Sequence, residues 1–216
     1  MISLEGIRFG YDAAHPVLTG LDFTVQPGER VALLGGNGAG KTTLLHVMVG
    51  LLLPQAGRVT AFGAERRKEA DFHEVRARAG LLFQDPDDQL FCPTVGEDVA
   101  FGPLNLGRSR AEARALVTQT LARVGLAGFE GRITHKLSGG QKRLVTLAAV
   151  LAMEPELLLL DEPSNALDEA ARERLLGILA GLPQAMVIIS HDQDLVERLA
   201  TRRVVLSNGR VENSDA

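Results

Sequence analysis

One stretch leaves this chain few folds to choose from: Gly35-Gly36-Asn37-Gly38-Ala39-Gly40-Lys41-Thr42-Thr43. Before it runs the apolar Val31, Ala32, Leu33 and Leu34, and after it come Leu44, Leu45, Val47 and Met48. Arg30 to Leu34 reads as a short buried strand, and Thr43 to Val49 as a helix with an apolar body. A strand that turns through glycines into a helix lets backbone N–H groups converge with no side chains in the way. The helix N-terminus itself favours negative charge. The spacing G-x-x-x-x-G-K-[ST] places Lys41 to reach β- and γ-phosphates, and the Thr42 hydroxyl to ligate Mg²⁺. A glycine turn that merely preceded a helix would have no need of Lys41-Thr42 in this register. The residues imply a nucleotide site.

Composition narrows the setting. The 216 residues suffice for one domain with a large core, or a core with an inserted subdomain. Hydrophobic residues at 45% and charged residues at 23% fit an ordinary soluble globular protein. A net charge of −4 argues against nucleic acid held by bulk charge. Cys92 is the only cysteine, so no internal disulfide is expected, and it reads as a small apolar side chain. Met1 to Glu5 shows no basic segment followed by an apolar one, so no signal peptide is expected. The apolar stretches Leu44–Leu53 and Leu144–Met153 fall short of the roughly 18 residues that span a bilayer. If this chain works at a membrane, a partner holds it there.

Along the chain, strands are expected at Ile2–Phe9, Val17–Val25, Gly57–Phe62 and Ala79–Phe83, the last ending in Gln84. The early strands look antiparallel rather than alternating with helices. A loop covers Gly10 to Pro16 and contains Tyr11, the only tyrosine. From the residues alone, Tyr11 either stacks on a base or is a half-buried loop aromatic. Gln84 to Thr94 is rich in proline and carboxylates and reads as a loop. From Thr94 to about Met153 the pattern is mainly helical. Ser109 and Glu112 have capping-box spacing for a helix reaching Val124, with Gly125 as its left-handed cap.

Leu137-Ser138-Gly139-Gly140-Gln141 puts a second glycine pair at the head of a helix. Its free N–H groups and the Ser138 hydroxyl make a weaker anion site, with no lysine placed beside it in the manner of Lys41. Leu157 to Leu160 reads as an apolar strand delivering Asp161 and Glu162. On an extended chain these two point to opposite sides, one towards Mg²⁺ and the other towards an attacking water. Ala185 to Ser190 is another apolar strand, ending in His191, and Arg202 to Val211 closes as a hairpin around Asn208-Gly209.

Taken together these motifs resemble the ATP-binding-cassette (ABC) ATPases over essentially the whole chain. Gly35 to Thr43 is similar to the Walker A motif of that family, Gln84 to its Q-loop, and Leu137 to Gln141 to its signature motif. Leu157 to Glu162 resembles the Walker B motif with its catalytic glutamate, Asn165 to Asp168 the D-loop, and His191 the switch histidine. Gly36 and Thr42, where proline and serine are frequent, are minor departures. The resemblance implies an α/β P-loop NTPase fold with a mixed sheet core, an antiparallel β subdomain and an inserted α-helical subdomain. Residues 1–84 and 154–216 would form the nucleotide-binding core of one domain, and 85–153 the helical subdomain with the signature motif.

The resemblance also implies ATP and Mg²⁺ as cofactors and a catalytic set of Glu162, His191, Lys41 and Gln84. Nucleotide would be bound by Tyr11, Gly35, Asn37, Gly38, Ala39, Gly40, Lys41, Thr42 and Thr43. From a second subunit would come Ser138, Gly139, Gly140 and Gln141, with Asp168 crossing the interface. Thr42, Gln84 and Asp161 would hold the metal. The expected assembly is a head-to-tail homodimer on ATP binding, with a heterodimer as the alternative.

Gln84 to Phe91 and Pro93 to Pro103 resemble the ATPase subunits of energy-coupling factor importers, which serve cobalt, nickel and vitamins such as biotin. A transmembrane coupling subunit would dock at Asp87, Asp88, Leu90 and Phe91, placing the chain peripherally on the cytoplasmic face of the membrane. Many vitamin-importer ATPases extend further at the C-terminus, which tilts the expectation to the cobalt or nickel branch. A biotin-importer ATPase fits almost as well. A more remote class is an ABC ATPase acting on nucleic acid, but no coiled-coil insertion, zinc-type cysteine pattern or basic stripe supports it, and no nucleic acid is expected. A P-loop kinase would leave the signature motif and D-loop without a role.

Overall fold

The computed structural model describes residues 1–12 and 14–213. Within the loop expected over 10–16, Ala13 lies outside the described residues. The first half contains strands β1 (Ile2–Gly10), β2 (Pro16–Val25) and β3 (Arg30–Leu34), then helix α1 (Lys41–Met48). Next come β4 (Ala56–Ala61), β5 (Ala64–Arg66), α2 (Phe72–Arg78) and β6 (Ala79–Leu82). Three helices follow: α3 (Val95–Asn105), α4 (Arg110–Arg123) and α5 (Gly139–Leu151). The rest is β7 (Leu157–Asp161), α6 (Glu169–Ala180), β8 (Ala185–Ile189), α7 (Gln193–Leu199), β9 (Arg202–Ser207) and β10 (Arg210–Asn213).

These strands form two sheets, one antiparallel in the order β2-β1-β4-β5 and one six-stranded in the order β10-β9-β3-β8-β7-β6. In the larger sheet β9, β3, β8, β7 and β6 run parallel, and β10 closes the edge antiparallel. The turn into β10 uses Asn208 and Gly209, both at positive φ, which matches the right-handed twist of a two-residue hairpin. The fold is thus α/β with a mixed core sheet, an antiparallel β part and an inserted helical part.

The four-leucine run at 157–160 explains how the larger sheet is covered. Leu157 and Leu159 point into a core shared with the antiparallel sheet, α1 and α2. Leu158 and Leu160 point into a second core under α3 to α7. A parallel strand buried on both faces needs a continuous apolar run rather than alternation. β8 repeats the pattern, with Val187 in the first core and Met186 and Ile188 in the second. The helices of 85–153 therefore have no core of their own; they share one with the sheet face.

Helix α4 starts where its capping box predicts. Ser109 accepts from the Glu112 N–H at 3.3 Å and Glu112 accepts from the Ser109 N–H at 2.8 Å. Elements β5, α2, α6 and α7 go beyond the strands and helices read from the sequence. Cys92 sits half-buried, and burial with the nearby Asp98 charge pushes its thiol up to about 11. At neutral pH it is an inert thiol, in keeping with an apolar role. What matters for the site is polarity of direction. β3, β6, β7 and β8 all end at the same sheet edge, the edge at which open α/β sheets place their ligands.

Candidate nucleotide site

The loop between β3 and α1 can only be built with glycine at its two ends. Gly35 has φ of +146°, and a Cβ there would lie 2.4 Å from the Leu206 carbonyl oxygen. Gly40 has φ of +99°, and a Cβ there would lie 2.7 Å from a methyl of Val17. Gly36 is free of both constraints, so its departure from the common pattern costs the loop nothing. The Lys41 ammonium reaches back over the loop, donating to Gly35 O at 2.7 Å and Gly36 O at 3.0 Å. The result is a bowl of N–H groups with a cation at its rim.

A cavity of about 570 Å³ collects the predicted residues. Its lining includes Tyr11, Asn37, Gly38, Ala39, Gly40, Lys41, Thr42, Thr43, Gln84, Asp161, Glu162 and His191. Val17 and Asn165 join them, the first unflagged by the sequence reading. Gly35 lines an adjoining cavity of about 400 Å³ that shares Lys41 and His191. Tyr11 is 67% exposed, stands edge-on to Phe9 at 5.2 Å, and has its hydroxyl 3.1 Å from Thr43 Oγ1. Its ring is a free face at the mouth of the cavity.

At the acidic end one expectation needs correction. β7 ends at Asp161, and Glu162 has φ of +46°, a left-handed conformation rather than an extended one. The two carboxylates consequently do not diverge; both line the same cavity. Glu162 is held there by its own N–H donating to Ile189 O at 2.9 Å. It accepts from the His191 N–H at 3.2 Å, and His191 Nε2 stands 3.3 Å from its Oε1. A non-glycine residue at positive φ is strain that concentrates at functional positions.

The buried Asp161 accepts from the Thr42 hydroxyl at 2.6 Å. That contact brings together two hard oxygen ligands, with the Gln84 amide on the same cavity wall. Among the described residues no group of three or more His, Cys, Asp or Glu side chains could hold a metal alone. Mg²⁺ suits such a site, since it prefers oxygen, binds few protein groups and completes its shell with phosphate and water. His46, on the buried side of α1, has its imidazole held below the usual range by burial, against the opposing pull of Asp161.

Ser138, Gly139, Gly140, Gln141 and Asp168 lie outside this cavity. Ser138 and Gln141 form a capping box at the start of α5, and Ser138 and Gly139 are exposed. Asp168 caps α6, accepting from the Ala171 N–H at 2.8 Å. Gly140 faces that helix, where a Cβ would meet the Ala171 methyl at 3.2 Å. Leu90 departs from the expected docking set, being 8% exposed and part of the second core. It follows the 3₁₀ turn Pro86–Asp88, whose tightness turns its side chain inward while Phe91 stays 66% exposed. Asp87 already pairs with Lys142 at 2.5 Å.

The profile of the ABC transporter family matches residues 18–165, from β2 through the D-loop asparagine. The chain belongs to the ABC transporter family. It is an ABC ATPase, in which ATP hydrolysis is coupled to transport. An ABC transporter ATP-binding protein of Brucella suis is 56% identical over 98% of this chain and 87% of its own length. The cobalt import ATP-binding protein CbiO of Rhodobacter capsulatus is 47% identical over 98% and 77%. The energy-coupling factor transporter ATP-binding protein EcfA of Methanothermobacter thermautotrophicus is 42% identical over 98% and 69%.

Among solved structures, CbiO1 of Clostridium perfringens, described as part of the ABC transporter complex CbiONQ, superposes with a TM-score of 0.86 at 35% identity. It covers 98% of this chain and 86% of that one. The dimeric cassette MJ0796, bound to ADP and phosphate after hydrolysis, gives a TM-score of 0.90 at 26% identity, covering 99% and 97%.

Proposed function

We propose that this ABC ATPase is the motor of an energy-coupling factor type importer for cobalt or nickel, working as a homodimer on ATP binding. The observation that carries the catalytic part is the convergence of Lys41, Thr42, Gln84, Asp161, Glu162 and His191 on one cavity. Lys41 and the loop amides neutralise charge on the transferring phosphoryl group, where preorganised donors are worth most. Thr42, Asp161 and Gln84 would hold Mg²⁺, which would supply charge neutralisation at the phosphate. Glu162 polarises the attacking water and accepts its proton, and His191, 3.3 Å away, orients the pair towards the γ-phosphate. Tyr11 stacks on the base. Asn37, Gly38, Ala39, Gly40 and Thr43 complete the phosphate cradle. Ser138, Gly139, Gly140 and Gln141 approach the nucleotide of the other subunit, with Asp168 at the same interface.

The membrane side of the proposal rests on a groove of about 240 Å³ beside Gln84. It is lined by Leu51, Phe83, Phe91, Phe101 and Met153, with Arg76, Gln89 and the buried Asp98 as its polar members. Asp98 accepts from the Phe91 and Cys92 N–H groups at 3.0 and 2.9 Å, which fixes the backbone from which the exposed Phe91 ring projects. It stands edge-to-face on Phe101 at 4.8 Å. A preorganised aromatic pair in a groove suits an apolar helix, and exposed Asp88 suits an arginine on it. No helix among the described residues is long and apolar enough to cross a membrane. The chain then sits peripherally on the cytoplasmic face, carried by its transmembrane partner.

The cobalt and energy-coupling factor relatives support this reading. The decisive test is uptake. Co-expression with a candidate membrane scaffold and metal-binding subunit should give cobalt accumulation that Glu162→Gln abolishes. Accumulation of biotin instead, under the same Glu162 dependence, would move the assignment to the vitamin branch.

A further inference from the structure

Arg143 is a residue that neither phosphate binding nor the docking groove accounts for. It lies on α5, one turn beyond the signature glycines, and is 2% exposed. Its Nη1 donates to Phe83 O at 2.6 Å and its Nη2 donates to Gln84 O. Both carbonyls lie just past the end of β6, where the ladder with β7 has stopped and backbone acceptors need new partners. The planar fork of a guanidinium satisfies two adjacent acceptors at once, which an ammonium cannot do in fixed geometry. The Nε of the same side chain is buried with no hydrogen-bond partner among the described residues. A buried cation held by carbonyls, with a donor left over, is a costly way to fill space. The neighbouring residue on α5, Lys142, pairs with Asp87 on the far flank of the same loop. Two consecutive residues of one helix thus grip the segment that carries Gln84 on both sides.

We propose that Arg143 is a positioning residue for Gln84. It fixes the Phe83–Gln84 backbone so that the Gln84 side chain faces the cavity of Lys41, Thr42 and Asp161. It also makes Gln84 and the exposed N-terminus of α5 move as one piece. The anion site at Ser138 and the phosphate sensor at Gln84, far apart in sequence, then report on each other through a single side chain. This rests on the role given to Gln84 above. If Arg143 only filled the core, an apolar residue of similar volume would serve as well or better, since replacing a buried charge by packed hydrocarbon is often neutral or stabilising.

Arg143→Met and Arg143→Lys in the full chain separate the two roles. Arg143→Met should keep its melting temperature and its KM for ATP, while kcat falls by between about 10- and 10²-fold, the range for a mispositioned group. Arg143→Lys, which keeps the charge and one donor direction, should recover part of that loss. Amides from Gln84 to Asp88 should exchange hydrogen faster in Arg143→Met, and Gln84→Ala should add no further loss in that background. Wild-type kcat in both variants, or losses that add with Gln84→Ala, would overturn the proposal. Gln84→Ala at wild-type kcat would instead overturn the role of Gln84. The exchange measurement then still decides the clamp, because unaltered amides from Gln84 to Asp88 in Arg143→Met would overturn it.

Discussion

Two helices in this molecule begin among glycines, α1 behind Gly40 and α5 with Gly139 and Gly140 in its first turn, and their surroundings differ. Ahead of α1 the loop folds over itself, Lys41 reaches two loop carbonyls, and Thr42 meets the carboxylate of Asp161. The cation, the hydroxyl and the carboxylate that face this cavity all come from one stretch of the chain and the strand beside it. At α5 the Ser138 and Gln141 side chains cap the helix reciprocally at 3.3 and 3.1 Å, and beyond them lies solvent. No acidic side chain stands in its first turn, and Lys142 of the same helix turns away to pair with Asp87. In the proposed function the same backbone device serves with its own lysine and carboxylate in one place and as the part offered to a second subunit's nucleotide in the other.

The comparison is broken most forcefully at the α1 site. Glu162→Gln keeps the shape of the acidic end and removes its charge, so ATP should bind while turnover falls by on the order of 10²–10⁴. Lys41→Ala should fail earlier, at nucleotide affinity. Equilibrium binding of a fluorescent ATP analogue alongside steady-state turnover distinguishes the two, and wild-type turnover in Glu162→Gln would refute the assignment.

At the α5 helix end Ser138→Arg should leave nucleotide binding by one chain intact. Turnover that depends on pairing should drop on the order of 10²-fold, the scale of one lost oxyanion donor. If Ser138→Arg turns over normally, the second helix has no phosphate to meet. A smaller effect is expected at the groove, which belongs to neither site. Phe91→Ala should leave basal hydrolysis unchanged and weaken assembly with the membrane scaffold by about 2 kcal/mol, near thirtyfold in affinity. Pull-down titration reads the second, and a collapse of basal hydrolysis would place Phe91 in the chemistry instead.

The smallest effect concerns the support behind His191. Asp192 follows His191, caps α7 and is gripped by Arg172 of α6 at 2.6 and 3.0 Å. That guanidinium holds the Asp192 carboxyl below the usual carboxylate range, against the contrary effect of burial. A carboxylate with a lower pKa when folded binds fewer protons than it does unfolded. Its contribution is present above about pH 4 and lost as pH falls through the folded value. Asp192→Asn should therefore cost about 1–2 kcal/mol at neutral pH, with the difference from wild type closing in acid. Denaturant melts at two pH values check it; a gap that persists in acid would contradict the linkage.

Much of this architecture is legible in the residues because each legible piece carries a local signal. The leucines at 157–160, the glycines at 35–40 and the Ser109–Glu112 box each require one conformation. What the residues do not announce is mostly tertiary. Helices α6 and α7 open on Asp168 and Asp192, whose side chains accept from the Ala171 and Leu195 N–H groups, contacts that a charged loop residue does not advertise. The left-handed turn at Glu162 follows from its bond to Ile189 O, a contact 27 residues away. Leu90 reads as exposed in an acidic loop, yet a single 3₁₀ turn rotates it into the core. Arg143 leaves one trace: a charge on the same helical stripe as Leu147 and Val150, where an apolar residue belongs.

The claim on which the rest depends is that the α5 helix end is half of a nucleotide site. Mass measurement in solution on Glu162→Gln, with and without ATP, tests it most directly. A monomer without nucleotide that becomes a dimer with ATP, and stays monomeric when Ser138→Arg is added, is the predicted result. An ATP-loaded monomer at every concentration, or a dimer indifferent to Ser138→Arg, would contradict it.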